Sequence, residues 1–178
     1  MTHTRIAQIR IDAGALRHNL QRVKSFAPNS KVIAVIKANA YGHSTRVAAN
    51  ALSDADVFAL ATPNEAISLR DSGVTKPLMV LQGFSSVEEL KALAAHKIQV
   101  VVHQPRQIDL LEQCRNEVLD VWLKIDTGMQ RLGGAVEITE SAFRRLQAWG
   151  VVRRMLLRGR WGARGVGWQG KQRWGGGG

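Results

Sequence analysis

Cysteine is almost missing from this chain: Cys114 is the only one among 178 residues, so no internal disulfide can form. That absence leads to the expectation of a reducing compartment such as the cytoplasm. Tyrosine is just as scarce, with Tyr41 alone, and only four prolines interrupt the chain. No apolar run approaches the roughly 18 residues that a membrane span requires. The N-terminal stretch MTHTRIAQIRIDAG lacks the continuous apolar core of a signal peptide. No histidine, cysteine or carboxylate cluster has metal-ligand spacing. There is also no Walker loop, no GxGxxG and no GxSxG. Together these gaps point away from membrane, metal and nucleotide-loop chemistry.

Acidic residues are missing from one region only. Residues 142–178 hold 9 of the 25 basic residues and none of the 14 acidic ones. The net charge of +11 therefore divides into +2 over residues 1–141 and +9 beyond them. The same stretch carries 10 of the 17 glycines and 4 of the 5 tryptophans. Two compositions are joined, and the expected division is a folded segment over 1–152 followed by a Gly/Arg/Trp-rich tail over 153–178. Glycine, arginine and tryptophan share G-rich codons, so a GC-rich coding sequence read in a shifted frame would give such a tail; it is expected to be frameshifted or disordered. Arg and Trp interleaved with Gly also resemble a flexible strand-binding segment. Nothing in residues 1–141 supports that second reading, and a nucleic-acid partner is not expected.

Within the balanced segment, helical and strand signals alternate. Asp12 caps a helix over AGALRHNLQRVKSF, with Leu16, Leu20, Val23 and Phe26 on one face. Five short Val-, Ile- and Leu-rich runs follow: KVIAVIK, VFALAT, PLMVLQ, IQVVVH and LDVWLKI. Most do not alternate polar with apolar, which is how strands covered on both faces of a parallel sheet read. Between them lie helices with their own punctuation. Pro63 falls in a first turn, Gly73 at an end, and Ser86-x-x-Glu89 forms a capping-box pattern. The spacing predicts an α/β architecture of about five βα units. A doubly wound sheet and part of a (β/α)8 barrel both fit it, and a full barrel needs about 250 residues.

In either architecture, chemistry collects where strands end. Lys37 closes the apolar run VIAVI, where any apolar residue would pack at lower cost. An amine partly withdrawn from water becomes a better nucleophile and forms a Schiff base with a carbonyl partner. The alternative is a strand-end lysine whose stem packs while its head reaches solvent. Tyr41, four residues on, either meets a ligand held by that lysine or caps the loop. The fifth strand ends in LKIDTGMQRLGG, which gathers Lys124, Asp126 and Arg131 among glycines that allow close backbone approach. Arg131 either forks onto an anionic oxygen or pairs locally with Asp126. His18 and His43 are lone histidines, more often structural than catalytic.

AVIKANAYGH and LKIDTGMQRLG resemble the two signature segments of bacterial alanine racemases, and IDAGALRHNL, ATPNEAISLR and VLQGFSSVEEL resemble the sequence between them. The resemblance covers roughly residues 5–150 and implies a partial (β/α)8 TIM-type barrel binding pyridoxal 5'-phosphate. It implies that Lys37 holds the cofactor covalently and acts as one of two racemisation bases, and that Tyr41 bonds the cofactor phosphate. Arg131 would lie beside the cofactor phenolate and the substrate carboxylate. Lys124 matches a lysine, carbamylated in some members, that orients that arginine. The implied reaction interconverts L- and D-alanine and supplies D-alanine for peptidoglycan. A broad-specificity amino-acid racemase and a non-catalytic cofactor-binding barrel protein are the alternatives. The intact family is homodimeric and about twice this length, and its second domain supplies the other base, a tyrosine. Those expectations do not extend to this chain, which is expected to be a truncated, inactive form. One departure is local: Ser44 stands where the family usually has glycine. Sequencing the locus beyond the codon for residue 152 checks the tail: an unshifted second half lying immediately downstream is expected, and its absence would refute the frameshift.

Overall fold

Asp12 opens the first helix as the sequence predicts, its carboxylate accepting hydrogen bonds from Gly14 N at 2.8 Å and Ala15 N at 3.0 Å. The computed structural model describes residues 9–114, 117, 119–127, 131–134, 136–147 and 152–159. Helix α1 spans Ala13–Phe26 and leads into strand β1, Ile33–Val35. There follow the short turn α2 (Lys37–Tyr41), helix α3 (Thr45–Ala51), β2 (Val57–Leu60), α4 (Pro63–Asp71) and β3 (Leu78–Val80). The chain continues through α5 (Val87–Ala95), β4 (Gln99–Val102), α6 (Pro105–Gln113), β5 (Val121–Thr127), α7 (Val136–Gln147) and β6 (Val152–Gly159). All strands are parallel and lie in one sheet in chain order, β1 to β6.

Five βα units are thus present, and a sixth strand follows them. It pairs along the whole of β5, from Val121↔Val152 to Thr127↔Gly159, and so carries the sheet into the stretch assigned to the tail. The remaining tail, 160–178, and its expected disorder lie outside the described residues.

The apolar runs are explained by burial on both faces. Phe58, Leu60, Leu78, Val80, Val100 and Val102 pack outward against the helices. Their sequence neighbours Val57, Ala59, Met79 and Val101 join Trp122 in a second cluster on the opposite face. A strand covered on both sides has no position for a polar residue, hence no alternation. The Trp122 indole is satisfied within this layer by donating to Gln99 Oε1 at 2.8 Å.

At the N-terminal edge of the sheet, long cations close the turns. The Arg70 guanidinium donates to the carbonyls of His96, Val74 and Lys76, and burial pushes its pKa below the usual value. Arg145 ties α7 to α6 through Asp109 at 2.7 Å and Glu112 at 2.8 Å.

The apolar stripe expected on α1 is only partly covered. Leu20 is buried, but Val23 and Phe26 are 51% and 78% exposed, and Val35 on the edge strand β1 is 41% exposed. This contrast sets an expectation for stability. Leu90→Ala, at a fully buried site, should cost about 2–5 kcal/mol. Phe26→Ser should change stability by less than about 0.5 kcal/mol. Urea denaturation of both variants measures the difference as a shift in midpoint at constant slope.

Candidate functional site

Lys37 sits one residue past Ile36, a buried residue whose N–H donates to Ala59 O at 2.9 Å and so extends the β1–β2 pairing. The lysine is half-buried. The backbone then reverses hand: Ala38, Asn39, Ala40 and Tyr41 have φ of 52°, 52°, 53° and 54°, and none is glycine. Left-handed residues of this kind cost about 1–2 kcal/mol each, so the turn must be held by its surroundings. Ala40 is buried and its N–H donates to Ile36 O at 3.0 Å, while Asn39 Oδ1 accepts from Thr45 N at 3.0 Å. His43 points its Nδ1 at Ala40 O, 2.9 Å away, which gives it a structural place in the same turn.

Glu65 completes the clamp, and sequence reasoning missed it. Its Oε1 accepts from Ala38 N at 2.7 Å, and its Oε2 from Ala61 N at 2.8 Å and Thr62 N at 3.3 Å. Thr62 Oγ1 in turn accepts from Glu65 N, which makes a full capping box at the start of α4. The signal was available as Thr62-Pro-Asn-Glu65 directly after a strand. The box expected at Ser86 forms only by half. Ser86 Oγ accepts from Glu89 N at 3.2 Å, but Glu89 Oε2 bonds Ser85 N and Oγ rather than Ser86 N. Gln107, also missed, is buried and joins the loops after β3 and β4: it donates to Gln82 O and Phe84 O and accepts from His103 N. No local pattern in QPRQ distinguishes it.

The second group lies at the end of β5. Lys124 is buried, and its Nζ donates to Leu132 O, one residue from Arg131. The returning segment is pinned by Asp126 N donating to Gly134 O at 3.1 Å. Gly133, with φ of +125°, passes so close that a Cβ there would meet Asp126 N at 2.7 Å. Arg131 itself is exposed. Lys37 with Tyr41, and Lys124 with Arg131, therefore form two groups on one edge of the sheet. They are four strand spacings apart, about 19 Å along the sheet at about 4.8 Å each. Curling toward a barrel turns such positions to face one mouth. Among the described residues, Lys37 Nζ, the Tyr41 hydroxyl and the Arg131 guanidinium have no hydrogen-bond or ion-pair partner. Tyr41, 60% exposed, therefore does not cap its loop, and Arg131 does not pair with Asp126. Among the described residues no group of three His, Cys, Asp or Glu could hold a metal ion.

A parallel βα sheet whose strand ends carry amine, phenol and guanidinium groups without a partner among the described residues has the architecture of a half-barrel. Residues 11–157 match the family of the alanine racemase N-terminal domain, and the chain belongs to that family. It is 46% identical over 139 residues to alanine racemase of Pectobacterium carotovorum and 45% identical over 141 residues to the biosynthetic alanine racemase of Escherichia coli K12. Those alignments cover 78% and 79% of this chain but 39% of each relative, so the chain spans about two fifths of their length. Its fold superposes on biosynthetic alanine racemase of Pseudomonas aeruginosa with a TM-score of 0.78 at 32% identity, covering 86% of this chain and 43% of that one. The histidine racemase of Leuconostoc mesenteroides gives a TM-score of 0.71 at 25% identity, covering 83% of this chain and 41% of that one.

The departure at Ser44 now has a physical meaning. Its φ is +65°, a backbone state that glycine adopts more cheaply. Ser44→Gly should raise stability by about 1 kcal/mol, relief of strain less the entropy of a new glycine. A higher urea midpoint is the expected result, and a lower one would show that the serine is not strained.

Proposed function

We propose that this chain is the lysine-bearing half of a pyridoxal 5'-phosphate-dependent alanine racemase of the bacterial cytoplasm, from the branch that supplies D-alanine for peptidoglycan. The observation that carries the reading is Lys37: half-buried, just past the C-terminal end of β1, and with no partner among the described residues. An amine held in this way fits an aldehyde cofactor, since nothing else occupies its lone pair once it is neutral. The other residues fit the same group. Tyr41 shares the turn with Lys37, and its hydroxyl, without a partner among the described residues, suits a phosphate oxygen. Arg131, without a partner among the described residues, has a guanidinium fork for carboxylate or phenolate oxygens. Lys124 fastens the peptide beside Arg131 and thereby supports it.

When bound, the cofactor supplies an electron sink that weakens the Cα–H bond of an attached amino acid. The chain's own part is then proton handling and orientation. Lys37 Nζ takes the α-proton from the face it occupies, or returns one there. Arg131 holds the substrate carboxylate so that the Cα–H bond points at that nitrogen. Racemisation needs a second base on the opposite face, which the family resemblance assigns to a tyrosine. Tyr41, the one tyrosine of these 178 residues, is committed to the Lys37 turn. These 178 residues therefore supply the cofactor-capturing amine and one of the two bases, and alanine and a homodimeric partner belong to the complete enzyme. The likeness to a histidine racemase favours a second reading, in which the complete enzyme takes a wider range of side chains.

Titration of the purified chain with pyridoxal phosphate tests the proposal. An absorbance band near the visible edge should appear and be abolished by Lys37→Ala. A band that survives this substitution would contradict it. Assay of these 178 residues alone with L-alanine should give no D-alanine at enzymatic rates, and ordinary turnover would overturn the need for a second base from outside them.

A further inference from the structure

The amine of Lys37 is useful only if it leaves the backbone in a fixed direction, and the backbone beside it is the most strained in the described structure. Four successive left-handed residues begin immediately after it. The peptide that joins Lys37 to Ala38 is the first of this run. Its N–H has no partner within the turn and is taken instead by Glu65 Oε1 at 2.7 Å. The other oxygen of the same carboxylate holds Ala61 N and Thr62 N at the exit of β2. One side chain on α4 thus locks the peptide plane after Lys37 to the neighbouring strand.

We propose that Glu65 is a positioning residue for Lys37, fixing the direction in which the lysine side chain projects from β1. The proposal rests on the reading of Lys37 as the cofactor-capturing amine. The competing role is purely structural: Glu65 belongs to the capping box, and a cap contributes to helix stability whatever happens at Lys37. The two roles separate by substitution. Thr62→Ala removes the hydroxyl that accepts from Glu65 N but leaves the bond to Ala38 intact. Glu65→Gln keeps the shape of the side chain, but its amide must present NH2 to one of the two loops, so one set of bonds is lost. Glu65→Asp keeps the charge on an arm too short to reach both loops, and it serves if the glutamine variant does not fold.

The experiment compares the full 178-residue chain with these variants in two readouts. The first needs no cofactor: the acetylation rate of each lysine by acetic anhydride, followed by peptide mass spectrometry. Glu65→Gln should accelerate Lys37 by about fivefold or more through local opening, with the other lysines within about twofold, and Thr62→Ala should leave Lys37 unchanged. The second is the affinity for pyridoxal phosphate, which should fall about tenfold in Glu65→Gln and less than twofold in Thr62→Ala, the loss expected for a charged hydrogen bond. An unchanged Lys37 acetylation rate in Glu65→Gln, or an equal change in Thr62→Ala, would overturn the positioning role. Failure of the parent chain to take up pyridoxal phosphate would instead count against the proposed function, with the acetylation rates still deciding the role of Glu65.

Discussion

Parallel strands deliver every chain exit to the same edge of the sheet, and each exit leaves backbone N–H and C=O groups that the sheet no longer satisfies. In this protein, side chains from the first turns of the following helices meet that need. Glu65 on α4 serves the exits of β1 and β2, Glu89 on α5 serves that of β3, and Gln107 on α6 serves those of β3 and β4. The edge where ligands bind in such folds is therefore also an edge where loops are fastened by side chains. Burial supplies the rest. With helices on one face and the layer of Val57, Ala59, Met79, Val101 and Trp122 on the other, the strands cannot shift register without moving apolar side chains out of both.

That fastening makes the strained turn after Lys37 possible. An unsupported run of left-handed alanine, asparagine and tyrosine would relax, because each residue has a cheaper conformation available. The burial of Ile36 and Ala40, the Asn39–Thr45 bond and the Glu65 carboxylate hold it together here. The result is a lysine whose neighbouring peptide is fixed while its own nitrogen is left without a partner among the described residues. A similar division holds at β5, where Lys124 is buried and fastened and Arg131 beside it is exposed.

Much of the fold was legible in the sequence because its signals are local. Asp12, Pro63 and Ser86 each mark a helix start that the structure contains, and the apolar runs mark five of the six strands. The sixth was hidden because VRRMLLRG carries arginines and glycine in place of a Val- and Ile-rich run. The exposed stripe on α1 was not foreseen either, since periodicity shows which residues share a face but not what covers it. Lys37, Tyr41, Lys124 and Arg131 were singled out from motif and position, and the structure places them after β1 and around the end of β5. Glu65 was not, because its bond to Ala38 spans 27 residues and depends on two strands being neighbours. The reversal of hand at Ala38–Tyr41 was equally invisible, as those residue types seldom adopt it.

The proposed chemistry requires Lys37 to be the one amine of this chain that captures an aldehyde cofactor. Reduction with borohydride after incubation with pyridoxal phosphate, followed by peptide mapping, tests this most directly. The expected result is a single phosphopyridoxyl group on Lys37, with the other seven lysines unmodified. Label spread over the exposed lysines, with Lys37 unmodified, would contradict it.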